Sequence, residues 1–342
     1  MTRYLLRQIT LLFFTLLALS LFTFCLSYWF AGSAVTNSSG IFPDDPSYAT
    51  IATARGFDGG YFGQYIAYLR HLFAGDWGRS LLDGAPVFEQ LIVRFGASLE
   101  IMLLALLVAW FPGVAFGVLA ALKPGRSVDN TILGMSISGY SIPVFWFAQL
   151  AILLVAVQWG LTPIAGQINP LFDIPAVTGS ILIDIALAQP ANPQAAYYSA
   201  FMHMILPVTV LAIMPMMLLI RLTRNSMLDV LNKNYIVSSY AKGMSTRRVL
   251  WSHALPNAMQ QVIRQLSNLI SLLIANTFIL EVIFSWPGIG NWLVRSIYER
   301  DYPVIQGGLL IIGSLILVTH VLLNLFHAWR YPQVRKDLYA AP

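Results

Sequence analysis

Apolar residues run almost unbroken through six stretches of this chain, near positions 8–30, 98–121, 131–158, 203–222, 265–285 and 304–327. A bilayer core about 30 Å thick needs about 20 mostly apolar residues per helix, so each stretch predicts one membrane-spanning helix. The polar intervals between them differ in kind. Residues 32–97 open with turn-rich sequence, predict a surface helix over Gln64–Phe73 and end in GDWGRSLLDG, whose glycines and acids predict tight turns and a cap beside a pore. Residues 159–202 carry Pro163, Gly166, Pro170, Pro175, Pro190 and Pro193, too frequent for a long helix, although Thr178–Leu187 can form a short interfacial one. Between the fourth and fifth stretches lies a basic, polar segment, Arg221–Pro256. It predicts a helix over Asn234–Lys242 and a turn at Gly243, where a missing side chain permits positive φ. Ser245 then caps a second helix, Thr246–Ala254, which stops near Pro256.

Composition reinforces the pattern. Hydrophobic residues are 57% and charged residues 10% of the 342, against roughly 25% charged in a soluble domain, and the mean hydropathy is +0.69. The expected class is an all-α, polytopic integral membrane protein. Arg3 and Arg7 precede a first apolar run that is longer than a signal-peptide core, so an uncleaved anchor over residues 1–31 is expected. With the N-terminus inside, 14 of the 20 Lys and Arg fall in inner segments, and only Asp129, Asp229 and Asp337 of the 15 acids do. Basic residues are retained on the cytoplasmic side, so both termini are expected there. The net charge of +5 lacks any accompanying recognition module, which argues against nucleic acid.

Missing parts exclude much chemistry. No GxxxxGK[ST] loop is present to cradle phosphates, and no HExxH. His71, His203, His253, His320 and His327 are scattered, and the lone Cys25 permits neither a disulfide framework nor a cysteine-built metal centre. Glu100 and Glu281 sit at span ends, where water or headgroups are expected to solvate them, which disfavours an ion-coupled carrier. Met202, Met204, Met214, Met216 and Met217 read as core or lipid-facing filler, or as soft lining of a promiscuous passage. Trp286, Trp292 and Trp329 near span ends read as interfacial belt residues. Pro143 and Pro207 should break or kink their spans, as static kinks or as gate hinges.

Spacing within the basic segment adds a resemblance. Val237, Ser238 and Ser239, then three residues, Gly243, nine residues, and His253, Ala254, Leu255 and Pro256 keep the frame EAA-x3-G-x9-I-x-L-P of the membrane subunits of ATP-binding-cassette importers, with Glu, both Ala and Ile replaced. Nearly end to end, SIPVFW (141–146), HMILPV (203–208), RLTRNSMLDVLNKNYI (221–236) and EVIFSWPGIGNWL (281–293), followed by Asp301, Tyr302 and Pro303, resemble the dipeptide and oligopeptide permease family. Within it, GDWGRSLLDGAPVFEQL and VTGSILIDIALA look closest to the Sap peptide-transport branch, as do Asn324, His327 and Tyr331 in the tail.

The resemblance implies a type I importer permease fold of about six helices. A periplasmic segment (32–97) and a five-helix core (98–330) follow the anchor, with a cytoplasmic coupling loop at 223–263 and a tail at 331–342. In that loop Val237, Ser238, Ser239, Gly243, Arg247, Arg248, His253, Leu255 and Pro256 would engage an ATPase subunit. Pro143, Pro207, Trp286, Pro287 and Gly288 are the gate or hinge candidates, although SWPGIG reads first as a structural turn at the span end. The implied partners are a second homologous permease, two ATPase subunits that carry ATP and Mg, a periplasmic solute-binding protein and membrane lipid; the chain itself binds no cofactor and is no enzyme. Bacterial inner membrane, import of short or cationic peptides, and the alternatives of polyamine export or a membrane scaffold for other uptake systems complete the expectations.

Overall fold

The computed structural model describes residues 2–330. The tail at 331–342, with Tyr331, lies outside the described residues, as do the side chains of Asn324, His327 and Trp329. In chain order the helices are α1 (Thr2–Trp29), α2 (Ala34–Ser39), α3 (Tyr48–Ala54), α4 (Tyr61–Phe73), α5 (Val87–Leu122), α6 (Ser127–Ser141), α7 (Val144–Ala151, continued by a π-helical stretch Ile152–Gln158), α8 (Ile181–Ala188), α9 (Pro193–Leu231), α10 (Asn234–Ala241), α11 (Thr246–Val249), α12 (Leu255–Arg264), α13 (Leu266–Ile283), α14 (Ile289–Glu299) and α15 (Tyr302–Arg330). Five of them are long and apolar enough to cross a membrane, and α6 with α7 makes a sixth span if that bent pair is counted as one.

The third span departs from the straight helix expected over 131–158: α6 and α7 meet at 94°. Pro143 disfavours helical geometry at the residue before it, and Ile142 is accordingly extended at φ −77°, ψ 126°. Pro207 behaves otherwise. Helix α9 continues through Pro207 and Pro215, because Pro207 is itself buried between the buried Leu206 and Val208, and that packing holds the turn despite the lost N–H. Helices α5 and α9 also begin well before the stretches predicted for them, since amphipathic turns precede each apolar window.

The described residues divide into two compact units. The first comprises residues up to Leu99, Gln167–Tyr197 and Ser285–Val321. Here α1 meets α4 through hydroxyl pairs, Ser20 with Tyr65 at 2.8 Å and Thr23 with Tyr68 at 3.0 Å, around the ring of Phe24. Asn37 donates to the Ser27 carbonyl at 2.9 Å and its own carbonyl accepts from Gln306 at 3.0 Å, tying α1, α2 and α15 together. Arg55 grips Asp76 with two 2.9 Å bonds and so pins the chain after α3 to the turn after α4. Gly96 and Gly179 let α5 and the 178–180 turn touch backbone to backbone, where any side chain would collide.

The second unit comprises Glu100–Gly166, Tyr198–Phe284 and the segment from Leu322. Gly113 and Gly117 on α5 face Leu219 and Thr223 of α9; a Cβ at Gly117 would sit 2.6 Å from that of Thr223. Small residues one turn apart are how membrane helices approach without a hydrophobic drive between them. Helix α6 docks on α9 through Ser136, which donates to the Met217 carbonyl at 2.7 Å, and Asp129, which takes two bonds from Arg224 at 2.5 and 2.7 Å. Glu100 and Glu281 correct the expectation of solvated span ends: both are buried, Glu281 completely, and each is engaged by a neighbour. A carboxylate inside a span is tolerated when protein groups hold it.

Candidate functional site

The basic segment folds as helix, turn and helix on a small apolar base. Ile236 of α10, Val249 of α11 and Ala254 and Ala258 further on bury themselves against Ala121 of α5 and Met227 and Val230 of α9. Ser239 turns its hydroxyl back to the Tyr235 carbonyl at 2.8 Å, which satisfies it on the buried side of α10. At the end of α10 the chain reverses at Gly243, whose φ is +78°. The Gly243 amide donates to the Tyr240 carbonyl at 2.9 Å and closes the turn.

Two local expectations are corrected. Ser245 occupies the capping position of α11 with extended backbone, but its side chain makes no capping bond. Pro256 does not stop the second helix. The chain passes from α11 through a π-helical turn, Leu250–Ala254, into α12, and Pro256 lies in that helix's first turn. The proline is accommodated because the wider π-helical turn directly before it has already interrupted the regular α-helical bonding pattern.

Opposite the apolar base, the segment presents an aromatic and cationic face. Val237 and Trp251 are 61% and 62% exposed, Tyr235 and Tyr240 are also exposed, and Arg247 and Arg248 border a shallow hollow with Ser245 and Trp251. Ser238 and Gly243 are exposed on the same segment, His253 and Leu255 are half-buried, and the His253 carbonyl accepts from Asn257 at 2.7 Å. Arg247 and Arg248 have no ion-pair partner among the described residues. The segment is thus a rigid pedestal with a sticky, positive outer surface, suited to contact with another protein and offering no catalytic constellation. Tyr235 and Tyr240 were not among the candidates drawn from sequence. Their signal was there: two aromatics five apart in an otherwise polar loop.

The gate candidates fall in three places. Pro143 marks the bend between α6 and α7, and Pro207 lies inside α9. Trp286, Pro287 and Gly288 form the turn leading into α14. Trp286 is no interfacial belt residue: it is fully buried and donates its indole N–H to the Ala97 carbonyl at 2.9 Å. Trp292 is buried too, against Val87, Leu91 and Val304. The indole has found an acceptor inside the protein, which removes its reason to sit at a headgroup. Ser285 reaches φ +49° to make the turn, and the Ile289 amide is taken up by the Ser98 hydroxyl at 2.8 Å. Gly288 is extended, so its conformation does not demand glycine. Among the described residues no group of three or more His, Cys, Asp or Glu could hold a metal ion.

Residues 113–336 match the family described as the binding-protein-dependent transport system inner membrane component. The chain belongs to that family. The loop at 223–263, the bend at Pro143 and the Trp286 turn of this permease all lie inside the matched region, whereas α1–α4 lie outside it. Over its whole length the permease is 36% identical to the dipeptide transport system permease protein DppB of Escherichia coli K12, covering 98% of this chain and 99% of that protein. It is also 36% identical to the di/tripeptide transport system permease protein DppB of Pseudomonas aeruginosa, with the same coverage. The putrescine export system permease protein SapB of Escherichia coli K12 is 32% identical over 98% of both chains. At equal identity and coverage, the SapB of Escherichia coli O157:H7 is named a peptide transport system permease protein. The short segments that resemble the Sap branch therefore sit in a chain whose full-length identity to these two dipeptide permeases is somewhat higher.

Proposed function

We propose that this permease is one of two homologous membrane subunits of an ATP-driven importer of short peptides. The observation that carries the reading is full-length similarity, 36% over 98% of the chain, to permeases named for dipeptide and di/tripeptide transport. In this reading both termini are cytoplasmic, and the exposed face of Val237, Ser238, Arg247, Arg248 and Trp251 docks on one of two ATPase subunits, which bind ATP and Mg. A solute-binding protein delivers cargo from the periplasm. Closure of the ATPases pushes the α10–α12 pedestal, and because its apolar base is shared with α5 and α9 the push reaches the spans as a rigid-body displacement. Pro143 and the Trp286 turn are the places where such a displacement would be absorbed.

The second reading is polyamine export, favoured by the 32% identity to the SapB of Escherichia coli K12. Uptake of labelled dipeptides and cationic peptides, measured alongside putrescine release in cells lacking the gene and in complemented cells, separates the two. Gene-dependent peptide uptake is expected; gene-dependent putrescine release without peptide uptake would replace the import reading.

A further inference from the structure

A cleft of about 460 Å³ opens in the first unit between the turn that follows α4, the start of α5 and helix α14. It is of the size that holds small organic ligands, and its polar groups are an uneven set. Asp83 takes bonds from the Ala85 amide and, on both oxygens, from Gln90 at 3.0 Å. The Gln90 carbonyl oxygen in turn accepts from the Trp292 indole at 3.1 Å. Asp301 is held by the Ser80 hydroxyl at 2.5 Å and the Leu81 amide at 3.1 Å, and Glu299 by Arg295 at 2.9 Å.

Arg94 is the exception. It is half-buried on the second turn of α5, and its side chain makes a single hydrogen bond, Nη1 to the Pro287 carbonyl at 3.3 Å. Among the described residues no carboxylate lies within ion-pair distance of it; Asp83 and Arg295, of opposite sign, are the charges whose field reaches it. A guanidinium carries five N–H donors in a planar fork, so four here have no protein acceptor among the described residues, and the side chain lines the cleft. Partly desolvated charge of this kind is stabilised by an anion, and a planar carboxylate matches the fork.

We infer that the cleft is a subsite for short zwitterionic peptides, with Arg94 receiving the free C-terminal carboxylate; the inference rests on the peptide reading above. The acids select for a zwitterion. The lining sets two cations, Arg94 and Arg295, beside three acids, Asp83, Glu299 and Asp301, so a simple anion meets attraction and repulsion together, whereas a peptide of two or three residues brings an ammonium of its own. The cleft contributes no chemistry to the cargo, only retention of a molecule that carries both charges at a short separation.

The test uses the whole transporter with its binding protein, reconstituted in proteoliposomes, and labelled dialanine against dialanine amide. In wild type the free acid should be taken up in preference. In Arg94→Gln the KM for the acid should rise about tenfold, the loss of one charge-assisted hydrogen-bonded pair, while that for the amide stays unchanged. Arg94→Lys should recover part of the difference. The binding protein is common to all variants, so any change in the acid-to-amide ratio belongs to the permease. An unaltered ratio in Arg94→Gln overturns the subsite while leaving peptide import standing; absence of peptide uptake by wild type overturns the peptide reading and the subsite with it. If Arg94→Gln fails to assemble, thermal unfolding of the wild-type transporter without binding protein decides: millimolar dialanine should raise the transition and its amide should not, and equal effects overturn the assignment.

Discussion

Gly243 has empty space around the position of a Cβ, so nothing but backbone conformation reserves it for glycine. At φ +78° an L-residue is strained by about 1–2 kcal/mol, and a β-branched one by more. Gly243→Val is therefore expected to leave membrane insertion and ATP hydrolysis intact while uptake falls, since the reversal that joins α10 to α11 would be re-formed; Gly243→Asn should be milder. Paired measurements of ATP turnover and uptake in proteoliposomes check this, and unchanged coupling in the valine variant would refute the role assigned to the turn. Asp301 offers a residue-scale prediction of opposite sign to ordinary acid lability. Burial pushes its carboxyl above the usual range, against the pull of bonds from Ser80 and the Leu81 amide. A folded pKa above the unfolded one means that the group's contribution is fully present below the unfolded pKa and is lost as pH rises through the folded one. Asp301→Asn should thus flatten the fall of the unfolding temperature as pH rises above the ordinary carboxylate range, without loss of stability at neutral pH. A steeper slope in the variant would contradict the assignment.

At the scale of elements, the pair Asp129–Arg224 fastens the start of α6 to the last turns of α9, ahead of the pedestal, and Asp129 also holds the Gly125 amide at 2.8 Å. Removing one partner of a buried pair costs about 3–5 kcal/mol because the other charge is left uncompensated. Asp129→Asn should lower the unfolding temperature in detergent and weaken coupling together, and Asp129→Asn combined with Arg224→Gln should recover most of the stability. No recovery in the double variant would mean that the pair does not act as a unit. The exposed cations behave differently. Arg247→Glu with Arg248→Glu should leave stability unchanged, since both side chains are exposed and unpaired among the described residues, while co-purification of the ATPase subunits falls. Normal co-purification would reduce these arginines to topogenic charges.

At the scale of the whole molecule, the sequence made the spans and the family plain, because 20-residue apolar runs and the Gly243-to-Pro256 spacing are both long-period signals. It also located the bend at Pro143. What it did not reveal depended on partners distant in sequence. Trp286 looked like an interfacial residue until Ala97, 189 positions away, supplied its acceptor. Glu281 looked solvated and Pro207 looked like a break or a kink; packing keeps the one buried and the helix unbroken through the other. Pro256 looked like a stop, but a π-helical turn leads into it and the helix runs on. Arg94 gave no signal at all in the sequence, since its peculiarity is the set of bonds it lacks. One dimension carries further. Helix α9 has 39 residues, about 58 Å of rise at 1.5 Å each, against a hydrocarbon layer of about 30 Å that typical tilts lengthen only slightly. The apolar stretch at 203–222 uses only about 30 Å of that rise, so the surplus lies in the helix's polar ends, and residues 221–231 form a stalk that carries the pedestal beyond the reach of hydrocarbon while keeping it continuous with the span.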